Sequence, residues 1–378
     1  MPLRSTLSDP SATDHDRRFM RVALALAARG LGQVAPNPAV GCVIVRDGVI
    51  VGRGWTQPGG RPHAETEALL RAGSAARGAT AYVTLEPCSH HGKTPPCADG
   101  LIGARIKRVV SALRDPDPRV SGRGLERLRA AGIEVTTGVC EAEAAALNRG
   151  FLMRVEEGRP LVLLKLATSL DGRLATHRGE SKWITGGAAR AFGHLLRHQH
   201  DAIMVGSGTV LADDPELTVR LPGLTARQPV RIIVDGRLRT PLTAKLVAQA
   251  QESPTWLITL AHADNRRRRA YEEAGVAVRS VAPDGDGAMD LAAVLELLGK
   301  QGLTRIMVEG GATLAAGLFR AGLVDRLAWF RSAGLIGGDG LAGIKAFGVD
   351  RLAQQPRFER MEITRLGEDI LEILQRAT

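Results

Sequence analysis

The stretch TLEPCSHHGKTPPC carries Cys88 and Cys97, and the HAE tripeptide upstream adds His63 and Glu65. One imidazole and two thiolates suit a tetrahedral Zn²⁺ that keeps its fourth position for water. Zinc brings the pKa of such a water toward neutrality, and a neighbouring carboxylate that is not itself a ligand can then carry its proton to a leaving group. Glu65, two residues after His63, is that carboxylate. Other readings of the cysteines stay open at this point. A disulfide is disfavoured in a reducing compartment, a structural zinc site would want a fourth protein ligand and no Glu65, and two inert buried thiols are the third case. Between the cysteines, His90 and Lys93 offer a neutral donor and a cation to an anionic substrate, or are ordinary loop residues, as His91 reads. Cys42 and Cys140 read as core.

These residues must be held by elements. Residues 14–32 read as an amphipathic helix, and AVGCVIV and VIVGRGW flank Asp47-Gly48, a hairpin signal. HAETEALLRAG reads as a helix ending at Gly73, which puts His63 and Glu65 at its start. TAYVTLEP is a short buried strand leading to Cys88, and a helix over 97–104 opens at Cys97, where its positive end favours a thiolate. IKRVVSAL, GLERLRAAG, IEVTTGV and 141–156 continue as strand, helix, strand and helix, the alternation of an α/β layered sheet.

EEGRP at 156–160 reads as a boundary, giving a disordered leader at 1–13, one domain at 14–157 and a second at 158–378. The second repeats the alternation, with strands at LVLLKLA, DAIMVG, VRIIVDG, TWLITL, VAVRSV, RIMVEGG and RLAWFR. Helices are expected near 187–198, 264–273, 290–299 and 312–321, and the NRRRR run at 265–269 reads as a solvated helix face. VEGGATLAAGLF sets a glycine pair between a buried strand and a helix, where backbone N–H groups can approach a phosphate. It has no G-x-G-x-x-G, so a Rossmann assignment is unsupported.

At 378 residues two domains are the default, and 44% apolar with 24% charged residues describes an ordinary soluble protein. The N-terminal stretch lacks the apolar core of a secretory signal, and no apolar run is long enough to span a bilayer. A cytoplasmic, non-membrane protein is expected. The formal charge is +10 with only seven lysines among 50 basic residues, a bias that either spreads over solvated faces or attracts anions. With 3% aromatics the chain has few platforms for stacking bases, so phosphorylated small molecules are expected and nucleic acid is not.

APNPAVGCVIV, GRPHAETEAL and TLEPCSHHGKTPPC together resemble the deaminase half of the bifunctional riboflavin-biosynthesis deaminase/reductases. KLATSLDGR, ESKWITG, GSGTVLADDPELTVR and VEGGATL follow in the order of the reductase half, so the resemblance runs over about residues 15–370. It implies a cytidine-deaminase-like three-layer domain, then a dihydrofolate-reductase-like domain. The implied activities are zinc-dependent deamination of 2,5-diamino-6-ribosylamino-4(3H)-pyrimidinone 5′-phosphate and NADPH-dependent reduction of its ribosyl group to ribityl.

By the same resemblance one Zn²⁺ is held by His63, Cys88 and Cys97, and Glu65 is the proton shuttle. Asn37, His90 and Lys93 meet the pyrimidine substrate. Cofactor contacts carry to Ala167, Trp183, Thr209, Asp213 and the segment Gly311, Ala312, Thr313, Leu314, Ala315, Ala316 and Gly317. Substrate contacts in the second domain carry to Ser181, Arg197, Leu217, Arg220 and Glu309, the two arginines as partners of the ribose phosphate. Lys165 and Asp171 are candidates to line that site, and Asp213 to do polar work beside the sugar. A homo-oligomer, and deamination before reduction, are implied too. One departure is Arg331-Ser332, where members of the family run into an Ala-Pro pair. The rival reading is a nucleoside or tRNA zinc deaminase with an unrelated appended domain; the eight-residue spacing of the cysteines counts against it.

Overall fold

The computed structural model describes residues 13–90, 95–117, 120–224 and 227–377. The chain divides into two compact units, Met1–Gly158 and Arg159–Thr378. The expected leader lies, except for Thr13, outside the described residues. None of the described helices is long and apolar enough to cross a membrane.

The first unit runs α1 (Asp14–Ala27), β1 (Gly41–Arg46), β2 (Val49–Trp55), α2 (Ala64–Ala72), β3 (Thr80–Val83), α3 (Cys97–Gly103), β4 (Arg108–Ser111), α4 (Arg123–Ala130), β5 (Glu134–Thr137) and α5 (Glu141–Glu156). A capping box sets the start of α1: Asp16 N donates to Thr13 Oγ1 at 3.1 Å and Thr13 N to Asp16 Oδ2 at 3.2 Å. Asp47 (φ 49°) and Gly48 (φ 76°) turn β1 into β2 as a two-residue hairpin requires. Among the described residues the sheet order is β2-β1-β3-β4-β5, with β1 antiparallel to its neighbours and β3, β4 and β5 parallel. Side chains alternate across it. Cys42 and Ile44 pack with Ala64, Ala68, Leu101 and Leu128 of α2, α3 and α4, whereas Val43 and Val45 pack with Phe19, Met20 and Ala144 of α1 and α5. That makes three layers.

The second unit runs β6 (Leu161–Thr168), β7 (Arg173–Ala175), α6 (Gly187–His198), β8 (Ala202–Gly206), α7 (Ser207–Asp213), β9 (Val230–Val234), α8 (Lys245–Ala248), β10 (Thr255–Leu260), α9 (Asn265–Glu273), β11 (Ala277–Val281), α10 (Leu291–Lys300), β12 (Arg305–Glu309), α11 (Ala312–Arg320), β13 (Arg326–Arg331), β14 (Leu341–Ala342), β15 (Phe358–Leu366) and β16 (Asp369–Arg376). Its large sheet has the order β11-β10-β9-β8-β12-β6-β13-β16-β15, parallel from β11 to β13 and closed by the antiparallel pair β16 and β15. Both faces of the parallel part are buried, which is why its strands read as near-continuous apolar runs. Val162, Leu164, Ile306 and Val308 pack with α10 and α11, while Leu163, Ile203 and Met307 face α6, α7, α8 and α9.

Two sequence features find their places here. The NRRRR run lies in α9, with Arg266, Arg267 and Arg269 exposed. At the Arg331-Ser332 departure, Ser332 N donates to Thr168 O at 3.0 Å and Arg331 Nη2 meets Glu372 Oε2 at 2.8 Å. A proline at 332 could not make the first of these bonds.

Candidate functional site

The first site is built by close approach of backbone to backbone. A Cβ on Gly54 would lie 2.1 Å from Ala64 O, and one on Gly52 2.3 Å from Ala68 O, so α2 can seat on β2 only because both positions are glycine. His63 is the N-cap of α2, and Glu65 and Glu67 fill its first turn, where the helix end favours negative charge. Cys97 opens α3, and its backbone N–H donates to Cys88 Sγ at 3.3 Å.

His63 Nδ1 lies 3.3 Å from Cys97 Sγ and 3.7 Å from Cys88 Sγ, and the three donor atoms all fall within 4.8 Å of one another. Tetrahedral zinc, with arms of about 2.3 Å to sulfur and 2.1 Å to nitrogen, calls for N···S separations of roughly 3.6 Å. The donor set therefore fits zinc in type and spacing, and among the described residues no fourth His, Cys, Asp or Glu joins it. The four cysteines are free.

The electrostatics favour a thiolate at Cys88 and a thiol at Cys97. Hydrogen bonds from Cys97 and then His63 pull the Cys88 thiol down to about 4, while the Cys97 thiol, donating to Cys88, is pushed far up. Glu65 is 4% exposed. Burial, followed by the negative charge at Cys88, pushes its carboxyl up to about 7.

A cleft of about 240 Å³ opens over these groups and is lined by Asn37, Arg61, Glu65, His90, Asp115 and Arg154 among others. Asn37 Nδ2 donates to Gly60 O at 2.9 Å, and a Cβ on Gly60 would sit 1.9 Å from that nitrogen. The loop after Asn37 is clamped from α5: Ala39 N donates to Asn148 Oδ1 and Asn148 Nδ2 to Ala39 O, both at 2.9 Å. Glu86 fixes the far wall, accepting from the amides of Gly122 and Gly124 at 2.9 Å each. His90 is exposed at the cleft. Lys93 lies outside the described residues.

The second unit gathers its candidates at the carboxyl ends of parallel strands. Glu309 ends β12 opposite Lys165 on β6. Arg197 of α6 grips Glu309 with both arms, Nε to Oε1 at 2.5 Å and Nη2 to Oε2 at 2.9 Å, and its Nη1 donates to Thr218 O at 2.8 Å. Burial would raise the Glu309 carboxyl, but Arg197 and then Lys165 bring it down to about 2. Burial lowers the Lys165 ammonium. Arg220 N donates to His194 Nδ1 at 3.3 Å, which ties its backbone to the same region. Its guanidinium is exposed and paired with Glu216 at 2.9 Å. Leu217 is buried at φ 54°. Arg197 is thus committed to Glu309, and of the two candidate phosphate partners Arg220 is the more open.

A second group forms around the glycine pair. Gly310 (φ 73°) and Gly311 (φ 86°) follow β12, and Ala312 to Gly317 form the first turns of α11. Thr209 of α7 stands against them, its Oγ1 3.1 Å from where a Gly311 Cβ would be. Asp213 is exposed at the end of α7 within the field of Lys182, next to Ser181 and Trp183 in the chain. Trp183 is 71% exposed at φ 70° with Arg190 over its ring at 4.3 Å. Ala167 lies on β6 opposite Phe330. Asp171 accepts from Ser169 Oγ at 2.6 Å and from the amide of Gly337 at 2.8 Å, so its carboxylate organises a loop.

The profile of the RibD C-terminal domain matches residues 160–371, and that of the cytidine and deoxycytidylate deaminase zinc-binding region matches residues 13–113. Riboflavin biosynthesis protein RibD of Escherichia coli (strain K12) is 47% identical over 367 residues, covering 94% of this chain and 98% of that protein. The chain belongs to the RibD family. Its Aquifex aeolicus relative of the same name is 44% identical, with 96% and 98% of the two chains covered. Among solved structures, Acinetobacter baumannii RibD superposes with a TM-score of 0.86 at 41% identity, covering 96% of this chain and 99% of that one. The Thermotoga maritima diaminohydroxyphosphoribosylaminopyrimidine deaminase/reductase gives 0.82 at 35% identity, with 96% and 99% covered. The protein is therefore a bifunctional enzyme of riboflavin biosynthesis, with a cytidine-deaminase-like zinc-binding domain and a RibD reductase domain. The reductase match excludes an unrelated appended domain.

Several residues that shape these sites escaped the motif reading. Asn148 has a signal, a lone polar side chain inside the apolar AAALNRGFLM of α5, and Glu86 another, a carboxylate ending a buried strand. His194 and Ser207 have none.

Proposed function

We propose that residues 14–157 deaminate 2,5-diamino-6-ribosylamino-4(3H)-pyrimidinone 5′-phosphate and that residues 158–378 reduce the ribosyl group of the product with NADPH. The observation that carries the reading is the His63, Cys88 and Cys97 donor set with Glu65 buried in the same cleft. One zinc ion, when bound, supplies the Lewis acid that makes a water nucleophilic near neutral pH. Glu65 would take a proton from the attacking water and pass it to the departing 2-amino group, a role suited to a buried carboxyl pushed up to about 7. Asn37 orients the pyrimidine ring from its tether on Gly60, and His90 and Lys93 meet the rest of the substrate, including its phosphate.

In the second unit NADPH supplies the hydride when bound. Ala167, Trp183, Thr209, Asp213 and the segment from Gly311 to Gly317 hold it; Ser181, Arg197, Leu217, Arg220 and Glu309 orient the opened sugar phosphate. Glu309 and Arg197 pair in a buried place, so neither is left there as a lone charge. The free thiols fit a reducing cytoplasm, and a homo-oligomer belongs to the same reading. The test is an assay of the purified chain with the diaminopyrimidine ribosyl phosphate, following ammonia release and NADPH oxidation separately. Ammonia first and NADPH oxidation after it is the expected result; NADPH oxidation without prior deamination would overturn the order.

A further inference from the structure

A cleft of about 700 Å³ opens where β8 and β9 end, beside α11. Thr313, Leu314 and Gly317, from the segment assigned to the nicotinamide cofactor, line it together with Arg237 and Arg239 from the turn after β9. Arg239 Nη2 donates to Ser207 Oγ at 3.0 Å, which holds its guanidinium at the start of α7. Arg237 is exposed, and among the described residues it makes no hydrogen bond or ion pair.

Each carboxylate at this cleft has one oxygen engaged by neighbouring donors of its own chain. Asp284 Oδ1 accepts from the amides of Asp286 at 3.0 Å and Ala288 at 2.8 Å, and Asp290 Oδ1 from those of Ala292 at 2.9 Å and Ala293 at 3.1 Å. Asp235 Oδ2 accepts from Thr240 N and Oγ1 at 2.7 and 2.8 Å. Arg237 is the cation that the cleft leaves without a partner among the described residues.

We infer that Arg237 and Arg239 bind the phosphate on the adenosine 2′-oxygen of NADPH and thereby make the reductase selective for NADPH over NADH. The inference rests on the NADPH reading above and adds two residues to it. The two nicotinamide cofactors differ only by this phosphate, and guanidinium groups bind phosphate oxygens through paired, charge-assisted N–H donors. The opposite preference is made by a carboxylate that accepts from the ribose 2′-hydroxyl. Asp235 keeps Oδ1 without a partner, but the residue is 1% exposed and that atom is buried, and Asp284 and Asp290 each spend one oxygen on two backbone amides.

The experiment compares the full-length protein with its Arg237→Gln, Arg239→Gln and doubly substituted variants. The reductase step is measured with NADPH and with NADH, and binding of 2′,5′-ADP and 5′-AMP is measured by titration calorimetry. The unsubstituted protein should prefer NADPH and bind 2′,5′-ADP more tightly than 5′-AMP. Each substitution should lower the NADPH/NADH ratio of kcat/KM by about 10- to 100-fold, the weight of one hydrogen bond to a charged group, and weaken 2′,5′-ADP alone. An unchanged ratio, or equal losses with both cofactors, overturns the arginine assignment while leaving the NADPH reading standing. A parent protein that oxidises only NADH and binds the two nucleotides equally overturns the NADPH reading itself. Arg237 is exposed, so its substitution tests the idea even if loss of the Ser207 contact disturbs folding in the Arg239 variant.

Discussion

The two clefts solve the same problem, holding a helper group against a small substrate, with opposite materials. In the first unit the side chains carry the chemistry. His63, Cys88 and Cys97 fit a metal by donor type and spacing, and Glu65 stands beside them without joining the donor set. In the second unit the candidate contacts are largely backbone and charge: a glycine pair at positive φ, helix starts at α7 and α11, and one ion pair, Arg197 with Glu309. A site made of reactive side chains fails when one atom is changed. A site made of backbone and charge yields in smaller steps, because no single residue there supplies the reactivity.

The largest effect is expected from metal removal. Chelation should abolish ammonia release and leave NADPH oxidation of the deaminated substrate unaltered, and added zinc should restore the first activity. Loss of both activities on chelation would show that the two clefts are not chemically independent. Glu65→Gln comes next. It keeps the shape and removes the proton carrier, so deamination should fall by about 10²–10⁴-fold while metal analysis still finds one zinc per chain. Ammonia release at the parental rate in that variant would sink the shuttle.

The same contrast decides what could be read from the sequence. Donor residues at fixed spacing are legible because only a few chemistries use them, and H-A-E with the two cysteines pointed to zinc while leaving structural readings open. Helices with clear ends were legible too: α2 stops at Gly73 and α5 covers Glu141–Glu156, the span its pattern predicts. The hairpin of β15 and β16 was not. β15 is an edge strand with most of its residues exposed, so FERMEITRL alternates charge with apolar residues on a surface where nothing demands a buried face. Nor was the commitment of Arg197, because its partner Glu309 is 112 positions away and only the packing of α6 against the end of β12 brings them together. Lys165, Glu309 and Arg197 form one electrostatic group that no local pattern announces.

That group yields the third test. Glu309→Gln leaves Arg197 and Lys165 as two buried cations with no carboxylate between them, and breaking such a pair costs about 3–5 kcal/mol. The loss should appear as a lower unfolding midpoint, and the first unit's ammonia release should stay at its parental rate. Acid should mimic the substitution with a defined sign. The Glu309 carboxyl is brought down from 4.5 to about 2 in the folded protein, so the folded state binds fewer protons than the unfolded one between those values. Its contribution is fully present above pH 4.5 and is lost as pH falls toward 2. The parent should therefore lose more stability than Glu309→Gln as pH falls through this window. Parallel pH profiles for the two proteins would remove Glu309 from the account.

The smallest effect, and the finest test of the contrast, concerns Trp183. It is held at φ 70° while 71% exposed, a conformation that costs a non-glycine residue about 1 kcal/mol or more. Packing does not explain a large exposed apolar ring in a strained backbone. Its contact with Arg190 at 4.3 Å returns only about 0.5–1 kcal/mol at an exposed site. Trp183→Gly relieves the strain, loses that contact and adds about 0.5–1 kcal/mol of unfolded-state entropy, so these terms nearly cancel and the unfolding midpoint should hardly move. If the ring serves the cofactor, KM for NADPH should rise several-fold with kcat little changed, because a contact made equally in ground and transition states affects binding alone. A clear fall in stability with an unchanged KM would make Trp183 a structural residue and remove it from the cofactor site.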